Sequence, residues 1–270
     1  MVLPAPAPDR TCLVTGASSG IGAELATQLA KLGHGVTLVA RREDRLKALA
    51  EDLTARSGAR MEVLGVDLTD ASARAAIPGT LADLGLSVEV LVNNAGLTTM
   101  GPVASSDPAA ELRMVRTDVE AVVHLCSLFV PGMVERGRGA VLNVASTAAF
   151  QPLPGQAGYG GSKAFVLAYT RALAQELHGT GVTATTLCPG PVETGFAEVA
   201  GLSDSEASAS LPKIMWLSAE AVARAAIEGM DKGRPVVIPG VANRVGAALA
   251  HLTPRRLLLP ILARQHPALK

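Results

Sequence analysis

Apolar runs, mostly β-branched, alternate along most of the chain with stretches whose apolar positions recur at helical spacing. The runs predict strands at Thr11–Thr15, Gly35–Ala40, Met61–Val66, Val88–Val92, Ala140–Val144, Val182–Leu187 and Pro235–Ile238. The helical stretches are Gly20–Leu32, Glu43–Arg56, Thr69–Leu84, Pro108–Glu135, Ala157–His178 and Ala219–Asp231. Strands that are apolar throughout, each followed by a helix, make a parallel sheet covered on both faces. Right-handed crossovers wind such a sheet in two directions from its first strand. The pattern therefore predicts one α/β domain, doubly wound, over residues 11–240.

Two segments lie outside the alternation. Residues 1–10 carry Pro4, Pro6 and Pro8 and read as a short disordered lead with neither the basic start nor the apolar stretch of a secretory signal. Residues 241–270 carry Arg244, Arg255, Arg256, Arg264 and Lys270, no acid, and apolar runs broken by Pro254 and Pro260. This basic amphipathic extension is too short and interrupted to span a bilayer. Two readings stand: a tail over the substrate cleft or on a neighbouring subunit, or a surface that lies on an anionic membrane.

Composition narrows the classes. The 270 residues are 49% hydrophobic and 18% charged, enough for a substantial core. Lys plus Arg equals Asp plus Glu, at 24 each, which gives no support to a broad nucleic-acid face. Cys12, Cys126 and Cys188 are too scattered for a disulfide framework or a metal cluster, and fit a reducing cytoplasm. Residues 139–162 hold no charge, but their prolines, glycines and amides make a poor membrane span.

Chemistry concentrates at strand ends. Between the first strand and first helix stands Thr15-Gly16-Ala17-Ser18-Ser19-Gly20-Ile21-Gly22. A glycine turn that opens a helix presents free N–H groups and the positive end of the helix dipole to an anion. Gly16, Ser18, Ser19, Gly20, Ile21 and Gly22 are thus candidate contacts to a dinucleotide diphosphate. The second strand ends at Arg41-Arg42, where an acid would accept from the ribose 2′-hydroxyl of NAD. Arg41 would meet a 2′-phosphate instead, so the sequence favours NADP; the plain alternative is a solvated helix start. Asp67 and Leu68 close the third strand: Asp67 either caps the next helix or accepts from an adenine amino group, with Thr69 better placed for the cap. Asn93, Asn94, Ala95 and Gly96 close the fourth and are placed along the same cleft.

Tyr159 and Lys163 are four residues apart and share a helix face. A phenol ionises near pH 10, so acid–base work near neutrality needs a shift of about three units, roughly 4 kcal/mol. An ammonium about 4 Å away supplies that much at an effective dielectric near 20. Ser146, after the fifth strand, is placed to donate to the same substrate oxygen.

Taken in this order and spacing, Thr15–Gly22, Asp67, Asn93–Gly96, Ser146, Tyr159, Lys163 and Pro189-Gly190 with Thr194 resemble a short-chain dehydrogenase/reductase. The resemblance implies a single Rossmann domain with a parallel seven-stranded sheet and helices on both faces. It implies NADP(H) as cofactor and hydride transfer between nicotinamide and a carbonyl or secondary alcohol. Tyr159 would be general acid and base, Ser146 would polarise the carbonyl, and Lys163 would lower the tyrosine pKa and hold the nicotinamide ribose. Pro189, Gly190, Val192 and Thr194 would bound the nicotinamide. Residues 194–217 would be a substrate lid, with Trp216 either core or substrate wall. The partners implied are a small-molecule substrate and further copies of the chain, as homodimer or homotetramer. One position departs from the family: Asp118 stands where relatives carry an asparagine that holds a relay water. An aspartate there can still hold water, but can also pair with Lys163 and weaken its pull on Tyr159. Two rival functions are a non-catalytic dinucleotide sensor and a membrane-peripheral reductase of lipid-like carbonyls.

Overall fold

The computed structural model describes residues 2–193, 212–265 and 269. In chain order the elements are β1 (Arg10–Thr15), α1 (Gly20–Lys31), β2 (Val36–Ala40), α2 (Glu43–Ser57), β3 (Met61–Gly65), α3 (Ala71–Asp83) and β4 (Ser87–Asn93). There follow α4 (Pro108–Val115), a π-helical turn (Arg116–Glu120), α5 (Ala121–Glu135), β5 (Gly139–Val144), α6 (Ala157–Glu176), β6 (Val182–Leu187) and β7 (Val192–Glu193). The chain closes with β8 (Leu217–Ser218), α7 (Ala219–Asp231), β9 (Val236–Val237), α8 (Val241–Leu252) and α9 (Arg255–Gln265).

The seven-stranded sheet runs β3-β2-β1-β4-β5-β6-β9, and every pairing in it is parallel. Strand alternation sorts the core into two layers. Leu13, Leu91 and Val141 face one way, against Ile77 and Leu81 of α3, Leu125 and Phe129 of α5, and Val166 of α6. Cys12, Val14, Val92 and Leu142 face the other, against Leu25 and Leu29 of α1, Leu46 of α2, and Val222 and Ala226 of α7. Full burial of each large side chain contributes about 1.5–3 kcal/mol. The winding reverses between β1 and β4, so the loops leaving their ends diverge and open a crevice.

Three details differ from the sequence reading, and one lies outside the described residues. Residues 2–10 pack rather than trail: Leu3 is buried, and the Val2 N–H donates to the Asp231 carbonyl at 3.1 Å. One apolar side chain in a proline-stiffened run is enough to dock it beside α7. The cap of α3 is Asp70, which accepts from Ser72 N–H at 2.8 Å and Ala73 N–H at 3.1 Å; neither Thr69 nor Asp67 serves. The span Pro108–Glu135 is interrupted by the π turn. That helix is long and apolar enough to cross a membrane, but Met114, Val122, Leu125, Phe129 and Met133 are buried against the fold. Of the region read as a lid, residues 194–211, including Thr194, lie outside the described residues.

Candidate active site

Gly16 and Gly20 both adopt positive φ (65° and 57°), which turns the chain sharply from β1 into α1. At Gly22 a Cβ would sit 2.3 Å from the Gly16 carbonyl oxygen, so only glycine lets helix and loop meet. Ser19 occupies the N-cap of α1, yet its side chain makes no capping bond. The first helical turn therefore keeps its N–H donors aimed at the crevice, which is what a diphosphate requires.

Arg42 was passed over as a helix start, and it is the cation that reaches this loop. Its guanidinium donates to Ser18 Oγ at 2.9 Å and Ser19 Oγ at 3.0 Å. Arg41 lines a cleft of about 470 Å³ with Asp67, Thr69, Arg113 and Arg116. Asp67 accepts both the N–H and the hydroxyl of Thr69 (2.9 and 2.8 Å). Those bonds, with the cations Arg41 and Arg113, hold its carboxyl below the usual range. Leu68 is buried, and its carbonyl accepts from Arg74, itself buried and paired with Glu120.

The two asparagines divide the work differently from the sequence expectation. The Asn93 side chain does not line the cleft. It is buried and donates to Asn143 Oδ1 at 2.8 Å inside the sheet. Asn94 turns the other way, donates to the Thr15 carbonyl at 2.9 Å and braces the glycine turn. The Ala95 N–H donates to Thr15 Oγ1 at 3.1 Å.

The chemical end is assembled from β5, α6 and the π turn. Ser146 caps the one-turn helix Thr147–Phe150, its Oγ accepting from Ala148 N–H at 3.1 Å. Lys163 is buried, donates to the Val144 carbonyl at 3.2 Å, and lies 5.7 Å from the Tyr159 ring centre. Its Nζ is 3.0 Å from Asp118 Oδ2. The π turn widens the helix so that both Thr117 and Asp118 face inward, and Asp118 is fully buried. Asp118 also accepts the Leu97 N–H at 2.7 Å. A Cβ on Gly96 would lie 3.1 Å from Lys163 Nζ and 3.4 Å from Asp118 Oδ2, so a glycine lets this loop pass the ion pair. Pro189 bonds the same framework through its carbonyl, which accepts from Thr147 N–H at 2.9 Å; Gly190 and Val192 follow it at the rim.

Asp118 pairs with Lys163, as the sequence allowed, and opposes its pull on the phenol. Burial pushes the Tyr159 hydroxyl up, Lys163 and a hydrogen bond with Ser146 pull it down, and Asp118 pushes it up again; the net direction is upward. Burial also raises the Asp118 carboxyl, against the pull of Lys163 and Leu97 N–H. Burial alone would lower Lys163, but Asp118 and Tyr159 outweigh it and its pKa rises.

A dinucleotide cleft at the switch point, with a phenol, a hydroxyl and an ammonium at its inner end, defines a nucleotide-dependent oxidoreductase. The short chain dehydrogenase family profile matches residues 10–203. Sulfoacetaldehyde reductase 2 of Chromohalobacter salexigens is 38% identical over 201 residues, covering 74% of this chain and 79% of that protein. NADP-dependent 3-hydroxy acid dehydrogenase YdfG of Salmonella typhi is 37% identical over 199 residues, covering 72% and 77%. The solved short-chain dehydrogenase from Sphingobium yanoikuyae in complex with NADPH superposes with a TM-score of 0.79 at 33% identity, over 93% of this chain and 95% of that one. The chain belongs to the short-chain dehydrogenase family.

Proposed function

We propose that this protein is an NADP(H)-dependent oxidoreductase interconverting a carbonyl and a secondary or primary alcohol, with Tyr159 as general acid and base. The observation that carries the reading is the set of half-buried Tyr159 and Ser146 with buried Lys163 at the crevice end, Lys163 being ion-paired to Asp118. NADPH, when bound, supplies the hydride. The glycine turn and the open N-terminus of α1 would hold its diphosphate, and Arg42 and Arg41 its 2′-phosphate, since no acid stands at the end of β2.

The remaining steps belong to the chain. Tyr159 gives its phenolic proton to the carbonyl oxygen in reduction and takes one from the alcohol in oxidation. Ser146 donates to the same oxygen and orients it. Lys163 stays charged through Asp118, steadies the phenolate and would help hold the nicotinamide ribose. A phenol held upward keeps its proton at neutral pH, which suits the reductive direction.

Exposed Leu112 and Val115 on α4 and Phe165 on α6 suit pairing of copies into a homodimer or homotetramer. Val241, Val245, Leu249 and Leu252 form an exposed stripe on α8 beside Arg244, a face that suits contact with an anionic membrane surface. Three free buried thiols suit a cytoplasmic site of action. The deciding experiment is a screen of anionic small aldehydes, 3-oxo acids and bulky ketones with NADPH and NADH, read by loss of reduced-nicotinamide absorbance. NADPH-dependent turnover that vanishes in Tyr159→Phe supports the reading; absence of turnover across the panel, or activity that survives the substitution, overturns it.

A further inference from the structure

We infer that the C-terminal helices α8 and α9 clamp the substrate end of the site, with Asn243 as the residue that positions the Pro189–Pro191 turn. The inference rests on the roles proposed above for Ser146 and Tyr159, and concerns residues that lie beyond them.

Asn243 is fully buried on the inner face of α8. Its amide donates to the Pro239 carbonyl at 3.1 Å and to the Met215 carbonyl at 3.0 Å. The Gly190 backbone rests directly on it: a Cβ at Gly190 would lie 2.3 Å from Asn243 Oδ1 and 2.5 Å from Cγ. One side chain therefore ties the approach to α8, the segment before β8 and the turn after β6. These three pieces of backbone are distant in sequence, and the Leu217 N–H to Pro191 carbonyl bond at 3.2 Å joins two of them from the other side.

The far end of the helix pair grips the opposite wall. His251 meets the Phe150 ring edge-on, with centroids 6.5 Å apart. The Arg255 guanidinium donates to the Phe150 carbonyl at 3.2 Å and to the Ala250 carbonyl at 2.7 Å. Phe150 ends the turn that Ser146 begins, and that turn bonds Pro189 through Thr147 N–H at 2.9 Å. The clamp thus holds both walls from outside. A general acid and its partner hydroxyl must be held to within about 0.5 Å of working geometry. Misplacement by about 1 Å lowers turnover by up to about a hundredfold. A residue that sets these walls acts on rate and on substrate KM, and leaves the diphosphate end alone.

The test uses the full chain with two separate variants. Asn243→Leu keeps the branched shape and removes both donors; Arg255→Met loosens the far end from an exposed position. Hydrogen exchange is followed by mass spectrometry in peptides covering 142–153, 186–193 and 13–25. NADPH affinity is read by fluorescence titration, and kcat and KM with the best carbonyl found in the screen. The expected result is exchange at least about tenfold faster in the first two peptides and unchanged in the third, with any loss of NADPH affinity smaller than the loss in kcat/KM. Asn243→Leu should lower kcat/KM for the carbonyl about tenfold or more, and Arg255→Met less. Uniform loss of protection across all three peptides, or unchanged exchange and constants in both variants, overturns the inference. If Asn243→Leu does not accumulate as folded protein, Arg255→Met decides by the same criteria, and exchange decides without any substrate. Activity surviving in Tyr159→Phe would sink the proposed chemistry and leave these exchange results standing.

Discussion

The two ends of the cleft handle charge in opposite ways. At the adenosine end the cations are exposed: Arg41 and Arg42 stand in solvent, and Arg42 donates to two serine hydroxyls. At the chemical end Lys163 and Asp118 are removed from water and face each other at 3.0 Å. Exposed cations attract an anion through screened fields and contribute little to folding. A buried pair contributes little net stability while intact, but losing one partner leaves an uncompensated charge in a poor solvent. One end can therefore be altered with effects confined to binding. The other couples rate, protonation and stability.

The sharpest break is in rate. Tyr159→Phe removes the proposed general acid, and reductive kcat/KM should fall by about 10²–10⁴. NADPH affinity, measured by fluorescence titration, should hold. Next comes stability at the buried end. Lys163→Met strands Asp118 and should lower unfolding free energy by about 3–5 kcal/mol in denaturant titration. Adding Asp118→Asn to that variant should restore most of the loss; no recovery would mean that the two charges are not coupled.

At the exposed end the change is smaller and leaves folding alone. Arg42→Ala should weaken NADPH by about 1.5–3 kcal/mol, the worth of a hydrogen bond to a charged group, while NADH affinity and the denaturation midpoint stay put. Raising salt should shrink that difference, because the arginines are exposed. The smallest effect is the most diagnostic. Asp118 pushes the Tyr159 phenol up, so Asp118→Asn should lower it. Reduction needs the protonated phenol and fails as pH rises through its pKa, so the alkaline fall should begin at lower pH. Oxidation needs the phenolate, so its rise should begin at lower pH as well. A pH–rate profile that does not move would remove Asp118 from the site's electrostatics.

Much was legible before any coordinates, because it depends on neighbours in the chain. Continuous apolar runs and period-3.6 patterns located the seven sheet strands and the main helices, since burial is a local demand on sequence. The glycine turn and the i, i+4 relation of Tyr159 and Lys163 are local too. What the chain order left open shares a cause. Which of Arg41 and Arg42 spans the glycine turn depends on how α2 leaves the sheet; which of Asn93 and Asn94 faces inward depends on where β4 ends.

The sequence by itself determined the doubly wound sheet, the glycine turn and the shared helix face of Tyr159 and Lys163, because strand–helix alternation, glycine spacing and helical periodicity act over a few residues. Only the tertiary structure decided how those side chains are charged and held. Asp118 meets Lys163 and the Leu97 N–H because a π turn rotates it inward, and Asn243 meets Gly190 because α8 folds back across the sheet's end. Such contacts join residues dozens of positions apart, where desolvation and close packing, rather than spacing along the chain, set the energies.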